Sequence, residues 1–284
     1  MTMELLQYGF MQRALIAALL VGLTAPSVGV YLVQRRLALI GDGMGHVALA
    51  GVALGVLTST QPVLTALGAA IAGAVAIELM RARGRSSGDV ALAIMFYGGI
   101  ASGVVLISRA PGGTPANLNA YLFGAITTTS RSDLVVFAVL AAVVLLATLG
   151  LAPRLFAVSN DEEYARAAGL PVLGYNLLLA VITAATVVIS MRVVGLLLIS
   201  ALMVVPVATA QLVTGSFRTT VVLALGIGLA VAVGGTAGSY YADTPSGGSI
   251  VVLAVATFAV ISVATRLRSA LTLWTHERPG PAPG

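Results

Sequence analysis

LALIGDGMGHVALAGVALGVL, residues 37–57, decides the architecture of this chain. Its 21 residues contain two ionisable groups, Asp42 and His46, and the rest is apolar or glycine. A run of that length at about 1.5 Å per residue reaches across the ~30 Å hydrocarbon core of a bilayer, so it reads as a transmembrane helix. Arg35 and Arg36 stand just before it. With those arginines at the interface, Asp42 falls roughly 8 Å and His46 roughly 14 Å into the apolar layer. An ionisable pair at that depth costs on the order of 3 kcal/mol per charge and marks a functional site.

Outward from this stretch the composition agrees. The chain is 58% hydrophobic and 9% charged over 284 residues, with a mean hydropathy of +1.03, which fits an all-α polytopic membrane protein. Apolar segments lie at residues 15–33, 37–57, 63–79, 90–107, 134–151, 173–191, 194–213, 221–238 and 250–263, giving about nine spans, with eight as the alternative count. The first has no cleavage signature and reads as a retained helix. Alternating the spans puts eleven arginines on one side and four (Arg13, Arg109, Arg131 and Arg192) on the other. The positive-inside bias then places the amino terminus outside and the carboxyl terminus in the cytoplasm. Residues 1–268 form the membrane domain, and residues 269–284, ending in THERPGPAPG, are expected to be a disordered cytoplasmic tail.

Several function classes drop out. Cysteine is absent, which removes disulfides, thiolate metal sites and a cysteine nucleophile. All fifteen basic residues are arginine, so the phosphate-binding loop ending in Gly-Lys-Ser/Thr cannot exist here. If ATP drives this protein, another polypeptide hydrolyses it. The net charge of +5 is scattered over short loops, without the basic stripe and aromatics of a nucleic-acid binder.

Four residues apart on a helix, Asp42 and His46 share a face, so a carboxylate oxygen and a ring nitrogen can converge on one ion. The competing reading makes Asp42 an N-cap and His46 a packing residue. The LALI run argues against it, because it implies a helix that starts before Gly41. Oxygen plus imidazole suits Zn²⁺ or Mn²⁺ and leaves iron open. Two ligands are few for a closed site, as passage of an ion requires.

Other polar residues have plainer readings. Glu78 pairs with Arg81 near the membrane boundary. Asp89 caps the fourth span, and Asp243 lies in a solvated turn, a contact to an external partner being its alternative. Pro206 kinks the seventh span, either lining a pathway or shaping packing. Tyr240, Tyr241 and Trp274 are interface anchors. Glycine pairs at four-residue spacing, Gly41/Gly45, Gly51/Gly55, Gly99/Gly103 and Gly234/Gly238, are expected to be close helix contacts. Two connections are long. The outer one, residues 108–132, includes residues 118–128, too short to cross and either a re-entrant helix or a loop with an apolar patch. The inner one, residues 152–172, contains VSNDEEYARAAGLPV. Here Ser159 or Asn160 caps a short amphipathic helix, Asp161, Glu162 and Glu163 favour its positive end, and Gly169 before Leu170 and Pro171 stops it.

Taken together, the chain resembles the permease subunits of ABC importers for zinc and manganese, the ABC-3 family. GDGMGHVALAG is similar to that family's G-D-x-x-x-H-x-x-x-x-G signature, NDEEYARAAGLPV to its cytoplasmic coupling segment, and VVGLLLISALMVVPVATAQL to its late proline-containing helix. Gly43 and Gly45 depart from the alanine and serine often found there, and each is expected to loosen the helix by up to about 1 kcal/mol. The resemblance implies a non-enzymatic, multi-pass subunit in a bacterial inner membrane, with a second permease copy, an ATP-binding subunit and an external solute-binding protein as partners. It also implies that Asp42 and His46 are pathway ligands for a transported divalent metal, with no resident cofactor. Residues 160–169, with Asn160, Asp161, Glu162, Glu163, Arg166 and Gly169, would then receive force from the ATPase. A self-sufficient proton-coupled carrier is the alternative, although the acidic relay it needs is missing.

Overall fold

The computed structural model describes residues 7–83, 88–109, 118–125, 129–191, 193–196 and 198–276. The side chains of Asp89 and Trp274, and residues 277–284, lie outside the described part, and with them the cap, the anchor and the end of the tail read from the sequence. Described residues form helices and no strand. In chain order these are α1 (Gly9–Gln34), α2 (Ile40–Leu57), α3 (Pro62–Ala82), α4 (Gly88–Ser108), α5 (Leu118–Phe123), α6 (Arg131–Gly150), α7 (Ala152–Asn160), α8 (Glu162–Ala167), α9 (Val172–Ser190), α10 (Ile199–Gln211), α11 (Phe217–Ala242) and α12 (Ser246–His276).

Eight of them, α1, α2, α3, α4, α6, α9, α11 and α12, are long and apolar enough to cross a membrane. The expected seventh span, residues 194–213, is shorter as a helix: α10 begins at Ile199 and has 13 residues. That is about 20 Å at 1.5 Å per residue. The reason lies in Gly195, whose φ of +88° turns the chain. Ahead of it, the amides of Val193, Val194 and Gly195 all turn back on the Ser190 carbonyl. The described residues between α9 and α10 are largely buried in protein, as non-helical backbone inside an apolar layer has to be.

α5 meets this break. The Leu196 amide donates to the Tyr121 carbonyl at 2.9 Å. Gly124, with φ +73°, lies against Val193 and Val194. Ser246 Oγ, at the start of α12, donates to the Val193 carbonyl at 2.7 Å. In the outer connection a short helix forms at residues 118–123, with Tyr121 buried and Phe123 exposed; residues 126–128 of the expected stretch lie outside the described residues.

α2 packs mainly between α3 and α4, while α1 packs against α11, α10 and α6; α9 touches both groups. Small residues set these distances. Gly22 of α1 and Gly228 of α11 face each other backbone to backbone, and the buried Pro26 ring fills the space beside Gly228. Lipid tails give helices no hydrophobic reason to associate, so close approach of this kind supplies the contact. α1, α2 and α9 are the most buried of the long helices, and α12 is the most exposed. Tyr240 joins a ring cluster with Tyr8 and Phe10, whereas Tyr241 is exposed.

The connection at residues 152–172 forms two helices instead of one. They part at Asp161, in extended backbone, and it is Asp161, not Ser159 or Asn160, that caps the second: its carboxylate accepts from the Tyr164 amide at 2.9 Å. Gly169 ends the segment with φ +80°, and Pro171 precedes α9. The last helix runs on to His276, past the 268/269 boundary expected for the tail.

Candidate functional site

The site is built at the start of α2. α1 ends at Gln34, Arg36 takes a left-handed φ of +58°, and α2 begins at Ile40. The helix starts before Gly41, as expected, but by one residue only, so Asp42 lies in its first turn and not in its interior. The capping reading still falls, since the N-cap residue is Leu39 and no side chain caps this end. Asp42 is half-buried and His46, one turn on, is 8% exposed. The two interact electrostatically, as their shared face requires.

Three neighbours shape this face. Phe96 of α4 sets its ring edge-on to the His46 imidazole, centroids 4.2 Å apart, which fixes the plane of the ring. Gly99, one turn further along α4, has no side chain because a Cβ there would come within 2.7 Å of the His46 carbonyl carbon. Ser200 of α10 is buried beside Gly41 and close to Asp42, and its hydroxyl makes no hydrogen bond of ordinary geometry. A spare donor next to a carboxylate can orient it. Gly45 lies against the backbone of the broken segment, 2.6 Å from the Leu196 carbonyl oxygen to a built Cβ. Gly45 thus lets the Leu196 backbone approach α2, while Gly41 and Gly43 make room for the side chains of Ser200, Met203 and Leu92, contacts that offset the local loosening expected of these glycines.

Asp42 opens into a cavity of about 310 Å³ between the start of α2 and α4, lined also by Leu39, Leu92, Ala93, Phe96 and Tyr97. Tyr97 and Leu39 are exposed at its mouth. Among the described residues no group of three or more His, Cys, Asp or Glu gathers anywhere. Glu78 is buried and paired with Arg81 at 3.0 Å, as read from the sequence, so it adds no ligand. Asp243 is an exposed left-handed helix end, which is the solvated-turn reading. Pro206 is buried inside α10, a helix that packs directly against α2.

At the far side of the Arg35 turn sits the segment at residues 160–169. Ala165 is its buried anchor, while Asp161, Glu163, Tyr164 and Arg166 are exposed. Glu162 turns inward to Arg35 at 2.5 Å and accepts from Asn176 Nδ2 at 3.1 Å. Gln34 Nε2 donates to Asn160 Oδ1 at 3.0 Å. Burial first, then the neighbouring Arg81, pushes the Arg35 guanidinium below its ordinary pKa, with Glu78 and Glu162 pulling it back. Sequence reasoning missed Phe96, Ser200 and the Arg35–Glu162 pair. Only the last had a signal, since basic and acidic connections assigned to one side of a membrane are candidates to pair.

Residues 7–265 match the model of the ABC 3 transport family. The chain is 34% identical to a probable metal transport system membrane protein of Treponema pallidum, over 94% of this chain and all of the relative. It is 32% identical to the manganese transport system membrane protein MntC of Halalkalibacterium halodurans, over 97% of this chain and 94% of that one. Among solved structures, it superposes on a chain of PsaBC from Streptococcus pneumoniae in complex with Fab with a TM-score of 0.82 at 30% identity, covering 92% of this chain and 95% of that one.

Proposed function

The chain belongs to the ABC 3 transport family, and on that premise we propose that it carries a divalent first-row metal ion past Asp42 and His46, manganese ahead of zinc. As a member of that family it is a multi-pass permease without catalytic activity of its own, ATP hydrolysis residing in a separate subunit. The observation that supports the metal reading is the open cavity onto which Asp42 faces, with the buried His46 imidazole one turn further in, held behind the Phe96 ring that lines the cavity, and no group of three or more such ligands among the described residues. Two protein ligands hold an ion weakly enough to release it. The hard carboxylate oxygen and borderline imidazole suit Mn²⁺ and Zn²⁺ alike, and the name of the manganese relative tips the order.

A second copy of the permease completes the site in this reading. The cavity is open rather than enclosed, and Tyr97 at its mouth is an exposed polar aromatic. The end of the bundle bearing Arg35 and α8 faces the cytoplasm, in keeping with the arginine bias. There Glu163, Tyr164 and Arg166 offer the ATPase an exposed face, and an external binding protein delivers the ion at the opposite end. Pro206 shapes the pathway wall from α10.

Asp42→Ala and His46→Ala are expected to cut radioactive manganese uptake by about 10- to 100-fold or more, since losing even a ligand's supporting partner costs about that much, while co-purification with the ATPase stays intact. Wild-type uptake in both variants would remove the assignment. Competition by zinc tests the order of cargo.

A further inference from the structure

We infer that Arg35 is the coupling residue of this permease: its ion pair with Glu162 joins the ATPase-facing segment to the turn that positions Asp42. The inference rests on the docking role proposed for residues 160–169.

Four observations converge on this joint. The Arg35 side chain is 5% exposed whereas that of Glu162 is 39% exposed, so the acid is the movable half and the guanidinium the fixed half. Arg35 begins a short turn whose backbone is tightly set: its amide bonds Tyr31, the Leu37 amide reaches back to Leu32 at 2.8 Å, and Arg36 adopts φ +58°. That turn runs straight into α2, with Asp42 seven positions after Arg35, so a pull on Arg35 is delivered to the start of the metal-bearing helix. Glu162 is shared, accepting from Asn176 of α9 as well. Asn176 Oδ1 is buried without a partner, so the amide that holds Glu162 through its nitrogen keeps an acceptor to spare. A joint with one unused acceptor has a second set of partners available when α8 shifts. By contrast, nothing else in α8 reaches inward except Ala165, whose methyl group can hold position but cannot pull.

The test uses the assembled transporter in lipid vesicles and reads ion uptake per ATP hydrolysed. Arg35→Gln and Glu162→Gln are expected to lower that ratio about tenfold, the size of a typical coupling between sites, with ATP hydrolysis and assembly retained. Arg35→Lys keeps the charge and is expected to stay within about twofold. If Arg35→Gln does not assemble, Glu162→Gln carries the test, because its side chain is partly exposed and the change is isosteric. An unchanged ratio overturns the joint, including the case where uptake and hydrolysis fall together because the pair only stabilises the fold. Since the chain has no cysteine, Glu163→Cys supplies a single label on the exposed face. Failure of that label to crosslink to the ATPase subunit overturns the docking role and the joint with it; crosslinking with an unchanged ratio overturns the joint alone.

Discussion

Gly41 and Gly45 on α2 share their four-residue spacing with Gly234 and Gly238 on α11, yet a side chain would meet very different surroundings in the two places. Beside Gly41 stands Ser200 Oγ, 2.5 Å from a built Cβ, and beside Gly45 the Leu196 carbonyl. Gly234 has only a flexible leucine methyl at 3.3 Å, and Gly238 has nothing within 4 Å; the close contacts on that helix belong to Gly228, against Gly22, and to Gly235, against the Ile250 backbone. The spacing marks a smooth stripe on a helix and is silent on whether another backbone lies along it. What fills the stripe on α2 is the first turns of α10 at Gly41 and the irregular Leu196 backbone ahead of that helix at Gly45, a combination that no helix-packing motif describes.

Three substitutions can break or sharpen that contrast. Gly195→Ala should be the most damaging, because it forces a left-handed φ of +88° on an alanine and drives a methyl into the Phe123–Gly124 backbone. A loss of about 3 kcal/mol or more is expected, seen as poor recovery of folded protein and a lowered unfolding temperature in detergent. Gly45→Ala should cost about 1–3 kcal/mol in the same assay, as the Leu196 backbone has to withdraw, and should depress uptake because it shifts the turn of α2 that carries Asp42 and His46. Gly238→Ala should be neutral or stabilising by about 0.5–1 kcal/mol, since it fills open space in a helix interior. A Gly238 variant as harmful as the Gly45 variant would mean that another chain covers α11.

These contrasts also show which features can be read from the chain alone. Asp42 and His46 were legible because their spacing and apolar surroundings are local properties, and so was the Glu78–Arg81 pair. The start of α2 before Gly41 was legible but its margin was not: LALI is apolar enough to carry a helix back to Leu37, yet the left-handed Arg36 turn leaves only Ile40 of that run inside it, so Asp42 falls in the first turn. The seventh span looked continuous for the same reason, since valine and leucine on both sides of Gly195 suit a membrane helix or a buried turn equally. Phe96 and Ser200 depend on which helices become neighbours, a property of the fold rather than of any window of sequence. In the segment at residues 160–169 the stop at Gly169 and Pro171 was clear, whereas the capping residue shifted by one because Asp161 could serve either as cap or as first-turn acid.

The clasp between residues 121–124, 193–196 and 246–247 has a consequence for how this protein can vary. It is held by main-chain amides and carbonyls, by Ser246 and by glycines at 124, 195 and 247. Peptide groups are the same whatever residue carries them, so altering side chains cannot retune such a fastening; it can only be kept or jammed. Variation in cargo preference or partner choice is therefore expected to accumulate around it, on α4 and α8, while the clasp stays small and silent.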